Sequence, residues 1–216
     1  MRSSGWLRVR ERLFGGDIKM RCFVLLTLFI FSVAQAAPNF APSEEQRLLD
    51  GKFVLKKMTP TGGSGVAFTA FSLVQLPIAT VWPVVRDCQY FKDFMPRTNK
   101  SELRERKGHT AICYVEVSMP FPFKNLWSTV KSVETQDQHG SFTRTWSLID
   151  GTYEHNNGRW TVSPWKGEKN ASLLTYQVDV NPNVALPSFI IQKAQTGTLA
   201  GLFDAVRNRA RQQKTP

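Results

Sequence analysis

The chain is poor in the residues that build metal centres and disulfide frameworks, with three cysteines and three histidines in 216 residues. His109, His139 and His155 stand far apart, each beside turn-like sequence, and read as surface residues. There is no His-x-x-x-His pair, no paired-cysteine zinc spacing and no glycine-rich phosphate loop. Ser64 lies in the loop Gly63-Ser64-Gly65, not between a strand and a helix as a nucleophile elbow requires. These absences leave no catalytic set, no metal site and no cofactor to expect.

Acidic residues are also scarce. Seventeen Asp and Glu stand against 28 Lys and Arg, a net charge of +11. Residues 1–36 carry six of the basic and two of the acidic groups, which leaves 22 against 15, or +7, in the remainder. The basic residues are scattered, with no RNA-binding aromatic motif and no helix-turn-helix signature, so nucleic acid is not an expected partner. The plainer reading of the surplus is a solubilising surface. It also favours anionic surfaces such as lipid headgroups.

Long apolar runs are missing as well. Phe23 to Val33 is nearly unbroken but only 11 residues long. As a helix it would span about 16 Å, well short of a bilayer core of about 30 Å. Met20-Arg21-Cys22 precedes it and Ala34-Gln35-Ala36 follows, a charged start and a small-x-small end. This predicts a signal peptide at 20–36, cleaved after Ala36, and a periplasmic or secreted protein. Residues 1–19 would then be an extension upstream of the true start at Met20. Residues 37–51 read as a loose leader, and 52–213 as the folded domain. Cys22 leaves with the signal. Cys88 and Cys113 remain in an oxidising compartment, where one bridge between them and two buried free thiols are both open.

What is present is a change of period along the chain. Phe53–Met58 and Val66–Val74 read as a β-hairpin around the turn-forming stretch Thr59–Gly65. After Leu76, with Pro77 suited to a first helical turn, Ile78, Val81, Trp82 and Val85 recur at helical spacing. A short helical piece, Tyr90–Met95, stops at Pro96. Six strands follow: 99–106, 110–118, 126–134, 141–149, 153–162 (interrupted near Asn156-Asn157-Gly158) and 172–180, with a turn at Lys166–Asn170. Their short connections imply antiparallel neighbours. One long helix, Pro187 to Arg211, closes the chain. Its row Ile190, Ala194, Gly197, Gly201, Ala205 suggests close packing on the sheet or room for a ligand. This order makes an α+β layer fold: a curved antiparallel sheet wrapped around a long C-terminal helix.

The ordered set of segments resembles the START-like, or SRPBCC, superfamily, in its bacterial START, coenzyme Q-binding and polyketide cyclase-like branch. The residues that carry the likeness are Leu76-Pro77-Ile78, Val81-Trp82, Val84–Asp87, Tyr90, Phe94 and Met95-Pro96. They continue with Tyr114, Pro120-Phe121-Pro122, Gly158-Arg159-Trp160, Pro164, Leu174-Thr175-Tyr176, Asn181-Pro182, Leu186-Pro187 and the last helix. The pattern covers about residues 52–211. Lys124-Asn125 stand where relatives often carry Arg-Asp. The resemblance implies the helix-grip fold and a cavity for a lipid, sterol, quinone or polyketide.

The residues themselves offer aromatic mass on alternating strand positions. Phe142, Arg144 and Trp146 share one face, as do Trp160 with Val162, and Tyr176 with Leu174 and Val178. Trp127, Phe142, Arg144, Trp146, Trp160 and Tyr176, with Phe189 and Leu202 from the last helix, are the expected ligand-binding residues. A plain sheet core is the competing reading. Arg144 is a charge on an apolar face, costly unless paired. It could pair with Glu116 or Asp179, meet a ligand's carbonyl, phosphate or carboxylate, or turn into water. The leading expectation is an exported binding or transport protein for a hydrophobic ligand. The alternatives are a cyclase or dehydratase using Glu116 or Tyr176, and a module that binds a protein partner.

Overall fold

The computed structural model describes residues 38–184 and 188–214, with side chains for 38–184 and 198–213. The expected extension, the signal peptide with its cleavage after Ala36, and the side chain of Phe189 lie outside the described residues. Helix α1 (Pro42–Leu49) precedes the hairpin β1 (Phe53–Lys57) and β2 (Val66–Val74). Helices α2 (Ile78–Arg86) and α3 (Phe91–Phe94) flank a single turn at Cys88–Tyr90. Six strands follow: β3 (Thr98–Lys107), β4 (Thr110–Val117), β5 (Leu126–Gln136), β6 (Phe142–Gly151), β7 (Tyr153–Trp165) and β8 (Glu168–Pro182). Helix α4 (Ser188–Lys214) ends the chain.

The eight strands form one sheet in the order β1-β2-β8-β7-β6-β5-β4-β3, every neighbouring pair antiparallel. The meander from β3 to β8 needs only short connections. β2 then pairs with β8, so the N-terminal hairpin extends the far edge. This is the α+β helix-grip arrangement expected from the sequence.

Strand alternation sends one set of side chains to each face. On β2, Phe68, Ala70 and Val74 face inward and join the main core with α2, α4 and the inner faces of β4 to β8. Phe71 and Leu73 face outward and join Leu48, Val54, Trp165, Ala171 and Leu173 in a second, smaller core. Arg207 of α4 fixes the helix to the sheet. Its guanidinium donates to the Gly51 carbonyl at 2.8 Å and to the Ser72 hydroxyl, and pairs with Asp204 at 2.6 Å. Gly201 faces Pro96: a Cβ there would lie 3.5 Å from the proline ring.

Four sequence expectations change. The leader is not loose, because residues 42–49 form α1. Pro42 starts that helix, and the Glu44 carboxylate accepts the Ala41 N–H at 3.0 Å. Leu48 is fully buried under it, and Phe40 sets its ring edge-on to Phe71 at 5.1 Å. Pro77 is the N-cap of α2 rather than a residue of its first turn. β7 runs unbroken through Asn156-Asn157-Gly158. A Cβ at 158 would lie 2.3 Å from the Trp146 ring, so glycine here admits an indole instead of making a turn. The turn expected at 166–170 shrinks to Lys166-Gly167, both with positive φ (48° and 80°), a two-residue hairpin connection.

Of the two alternatives open for the thiols, the bridge is the one present. Cys88 and Cys113 are bonded, and they tie the turn after α2 to β4.

Candidate functional site

A cavity of about 500 Å³ opens between the inner face of the sheet and α4. That falls within the ~300–1,000 Å³ typical of small-molecule sites. Its wall is mostly apolar. Phe68, Val130, Val178 and Val180 supply the sheet side, and Leu199 and Leu202 the helix side.

The structure brings five of the expected site residues to this wall: Arg144, Trp146, Trp160, Tyr176 and Leu202. Trp160 stacks on Tyr176 at 4.2 Å between ring centroids, and Trp146 lies 6.0 Å from Tyr176 on the same panel. The register makes this panel. Arg144 pairs with Trp160 and Trp160 with Tyr176 across adjacent strands, so all three project to one side. Phe142 stacks instead on Trp82 of α2 at 5.3 Å and belongs to the solid core. Trp127 stands on the opposite face of β5 from Leu126, Ser128 and Val130, which line the cavity. There it stacks on Tyr114 at 5.9 Å, outside the pocket.

Arg144 is 3 % exposed and carries its charge into the cavity wall. Neither carboxylate expected to pair with it does so. Glu116 faces away, alongside Tyr114, and accepts from Asn99 at 2.7 Å and Asn125 at 2.8 Å. Those hydrogen bonds hold its carboxyl below the usual range. Asp179 binds the Thr61 hydroxyl and His155 instead. The acid opposite Arg144 in the sheet is Glu134, but its carboxylate is held by Arg86 at 2.8 Å and by Arg106.

What remains to Arg144 is weak. One terminal nitrogen lies 3.3 Å from the Cys113 sulfur, and the guanidinium sits 5.6 Å from the Phe91 ring and 5.9 Å from the Trp146 ring. Its Nε has no hydrogen-bond partner among the described residues. Burial pulls its pKa down to about 10, so it keeps its proton at neutral pH.

Other polar groups in the wall divide into spent and unspent. Trp146 donates to Asn156 at 3.0 Å, and Asn156 donates to Ser128 at 3.2 Å, so that chain is closed. Asn156 and Ser128 were missed from sequence, the first because Asn-Asn-Gly reads as a turn. Tyr153, also missed, and Tyr176 line the cavity with no hydroxyl hydrogen bond among the described residues. Burial pushes the Tyr153 phenol up to about 12 and the Tyr176 phenol further in the same direction. Both keep their protons. The Arg144 guanidinium and the two phenols are thus among the wall groups that can still donate. Among the described residues no three His, Cys, Asp or Glu side chains cluster as a metal site.

Residues 74–207 match the profile of the polyketide cyclase/dehydrase and lipid transport family. The chain belongs to that family. The STAR-related lipid transfer protein of Xanthomonas axonopodis superposes with a TM-score of 0.64 at 19 % identity, over 82 % of this chain and 98 % of that one. Human StAR-related lipid transfer protein 5 gives 0.63 at 8 % identity, over 74 % and 83 %. The Zhui aromatase/cyclase of a Streptomyces species gives 0.53 at 15 % identity, over 75 % and 94 %. These likenesses share the fold. No curated protein matches the chain.

Proposed function

We propose that this protein binds and carries an apolar molecule with a hydrogen-bond-accepting head, such as a carboxylate, a phosphate or a quinone carbonyl. The observation that carries this reading is Arg144, a buried cation with an unpartnered nitrogen, set in the wall of an otherwise apolar cavity. A charge left so costs stability unless something supplies its missing partner. An acceptor group seated against the terminal nitrogens of Arg144, or against a Tyr176 or Tyr153 hydroxyl, would offset that charge from the cavity side, while the tail buries apolar area at about 25 cal/mol per Å². Membership of a family named for both cyclase and lipid transport supports an apolar guest. Of the two groups the cyclase alternative would use, Glu116 faces away from the cavity with its carboxyl held below the usual range, which leaves Tyr176 at the wall without a carboxylate beside it.

Export belongs to the same reading. The Cys88–Cys113 bridge supports it, since disulfides persist in oxidising compartments. N-terminal sequencing of the protein recovered from its native host should give Ala37 as the first residue. A peptide from residues 6–12 in that material would overturn both the cleavage and the start at Met20.

The ligand test is extraction of the purified protein followed by lipid mass spectrometry, with titration of fatty acid, phospholipid and quinone. One stoichiometric apolar species, or saturable binding of one class, is expected. An empty protein that binds none of the three would overturn the carrier reading.

A further inference from the structure

We infer that the loop joining β4 to β5 is a membrane-docking tip that sets the mouth of the cavity against an anionic lipid surface. Residues 119–123 read Met-Pro-Phe-Pro-Phe, five apolar residues in a solvent-facing connection. Phe121 is 97 % exposed, the most exposed of the large hydrophobic side chains described. A lone exposed apolar residue needs no explanation. This one sits at the centre of an apolar run, and both of its flanking prolines are exposed.

The loop is held in shape. The Phe123 N–H donates to the Pro120 carbonyl at 3.0 Å, and the Asn125 side chain accepts the Met119 N–H at 3.3 Å across the base. The tip therefore stands out from the sheet without collapsing onto it.

Position and charge select the occupant. Met119, near the start of the loop, and Leu126, the first residue of β5 after it, both line the cavity. Val184, which also lines it, is 46 % exposed. The chain from Val117 to Leu126 contains no acid and one lysine, Lys124. Arg97, another lining residue, anchors its guanidinium on the Ser118 carbonyl at 2.9 Å at the foot of the loop. An apolar tip beside Lys124 and Arg97, with the one acid at its base, Glu116, engaged by Asn99 and Asn125, fits a bilayer interface with anionic headgroups. A guest leaving the mouth could then pass from apolar wall to acyl chain without crossing water. This last step rests on the carrier reading; the docking surface does not.

The experiment measures flotation with vesicles of phosphatidylcholine containing about 30 % phosphatidylglycerol, and with phosphatidylcholine alone. It uses the full chain and residues 39–216, the compact unit that holds both described cores. Wild type and Phe121→Ser are compared within each, so that any binding by the segment before residue 39 cancels. The serine variant should lower the bound fraction of 39–216 at least fivefold, and Lys124→Gln a few-fold. The wild-type protein should bind the anionic vesicles more than the neutral ones, and release as salt rises. Equal binding by wild type and Phe121→Ser, or no binding by the wild type, would overturn the proposal.

Binding of a fluorescent fatty acid, such as parinaric acid, is measured in solution on the same proteins. It should be unchanged by Phe121→Ser, which shows that the variant is folded with its cavity intact. If the fatty acid, and the phospholipid and quinone titrated beside it, all fail to bind while the vesicle difference holds, docking stands and the carrier reading falls. If any of the three binds while the vesicle difference is absent, the reverse is true.

Discussion

A guanidinium shut away from water destabilises the fold around it when one of its nitrogens has no partner. Arg144 is in that position, because the acid opposite it in the sheet, Glu134, already serves Arg86 and Arg106. Replacing it by an apolar side chain of similar length removes the cost. Arg144→Met is expected to raise unfolding stability by about 1–3 kcal/mol in urea denaturation. The same variant should weaken binding of an anionic amphiphile at least tenfold. The pH dependence fixes the cause. A base whose folded pKa is depressed destabilises the fold fully while both states are protonated, and less once the folded state loses its proton. The methionine variant's advantage should therefore be constant from about pH 6 to 9 and shrink above about pH 10, the value to which burial pulls Arg144. A loss of stability in Arg144→Met would show that the charge is satisfied in the empty protein.

Gly158 makes the opposite point at the same scale. A methyl group there would meet the Trp146 ring at 2.3 Å and the Gln177 carbonyl oxygen at 2.4 Å. The indole cannot retreat easily, since it is bonded to Asn156 and packed beside Tyr176. Gly158→Ala should cost about 1–3 kcal/mol by thermal or chemical denaturation. It should also disturb ligand binding, because Trp146 is wall as well as core. An alanine variant of unchanged stability would mean that the panel shifts freely.

At the level of elements, α1 acts as a cover for the back of the sheet. Without it, Phe71, Leu73 and Trp165 would lie open on the outer face, an invitation to association. Leu48 is the residue that joins it to them, and it is fully buried. Leu48→Ala is expected to lower stability by about 2–5 kcal/mol while leaving the affinity for a cavity ligand unchanged, since the cavity lies on the other face. A fall in affinity at full folding would show that the two faces are coupled.

Helix α1 leaves little mark in the sequence. Eight residues with polar neighbours and one decisive leucine carry too little periodicity to stand out. Only the apolar outer face of β2, itself legible in Ala67, Phe71 and Leu73, asks for a partner. The strands are readable because 172–180 alternates and Val66–Val74 is a short apolar run bounded by turn residues. β5 was not readable as to face. Its inner side mixes Leu126 and Val130 with Ser128, Ser132 and Glu134 while its outer side carries Trp127 and Val133, so hydrophobicity does not choose between the faces. Arg144 was legible as an anomaly, but its pairing was not. Which acids stand near it, and which are already taken, depends on strand register and on bulges such as that at Thr129/Val130, and neither leaves a mark in composition.

For the molecule as a whole, the decisive property is that the sheet and α4 meet around a space instead of closing on each other. Tight packing is worth stability, so a retained hollow of about 500 Å³ is a standing cost unless a guest fills it. Fold and function can then be separated by filling the space from within. Val130, 5 % exposed on β5, and Leu202 on α4 face the cavity from opposite sides. Val130→Phe and Leu202→Phe each add volume where room exists, so each should leave the melting temperature equal to or above that of the ligand-free wild type. Each should also reduce the stoichiometry or affinity of ligand binding by tenfold or more, and the pair should abolish it. Adding ligand at 100 times its Kd should stabilise the wild type by about 2.7 kcal/mol and the double variant not at all. If the phenylalanines unfold the protein, the space is already occupied by packed side chains. If they fold and still bind, the guest sits elsewhere.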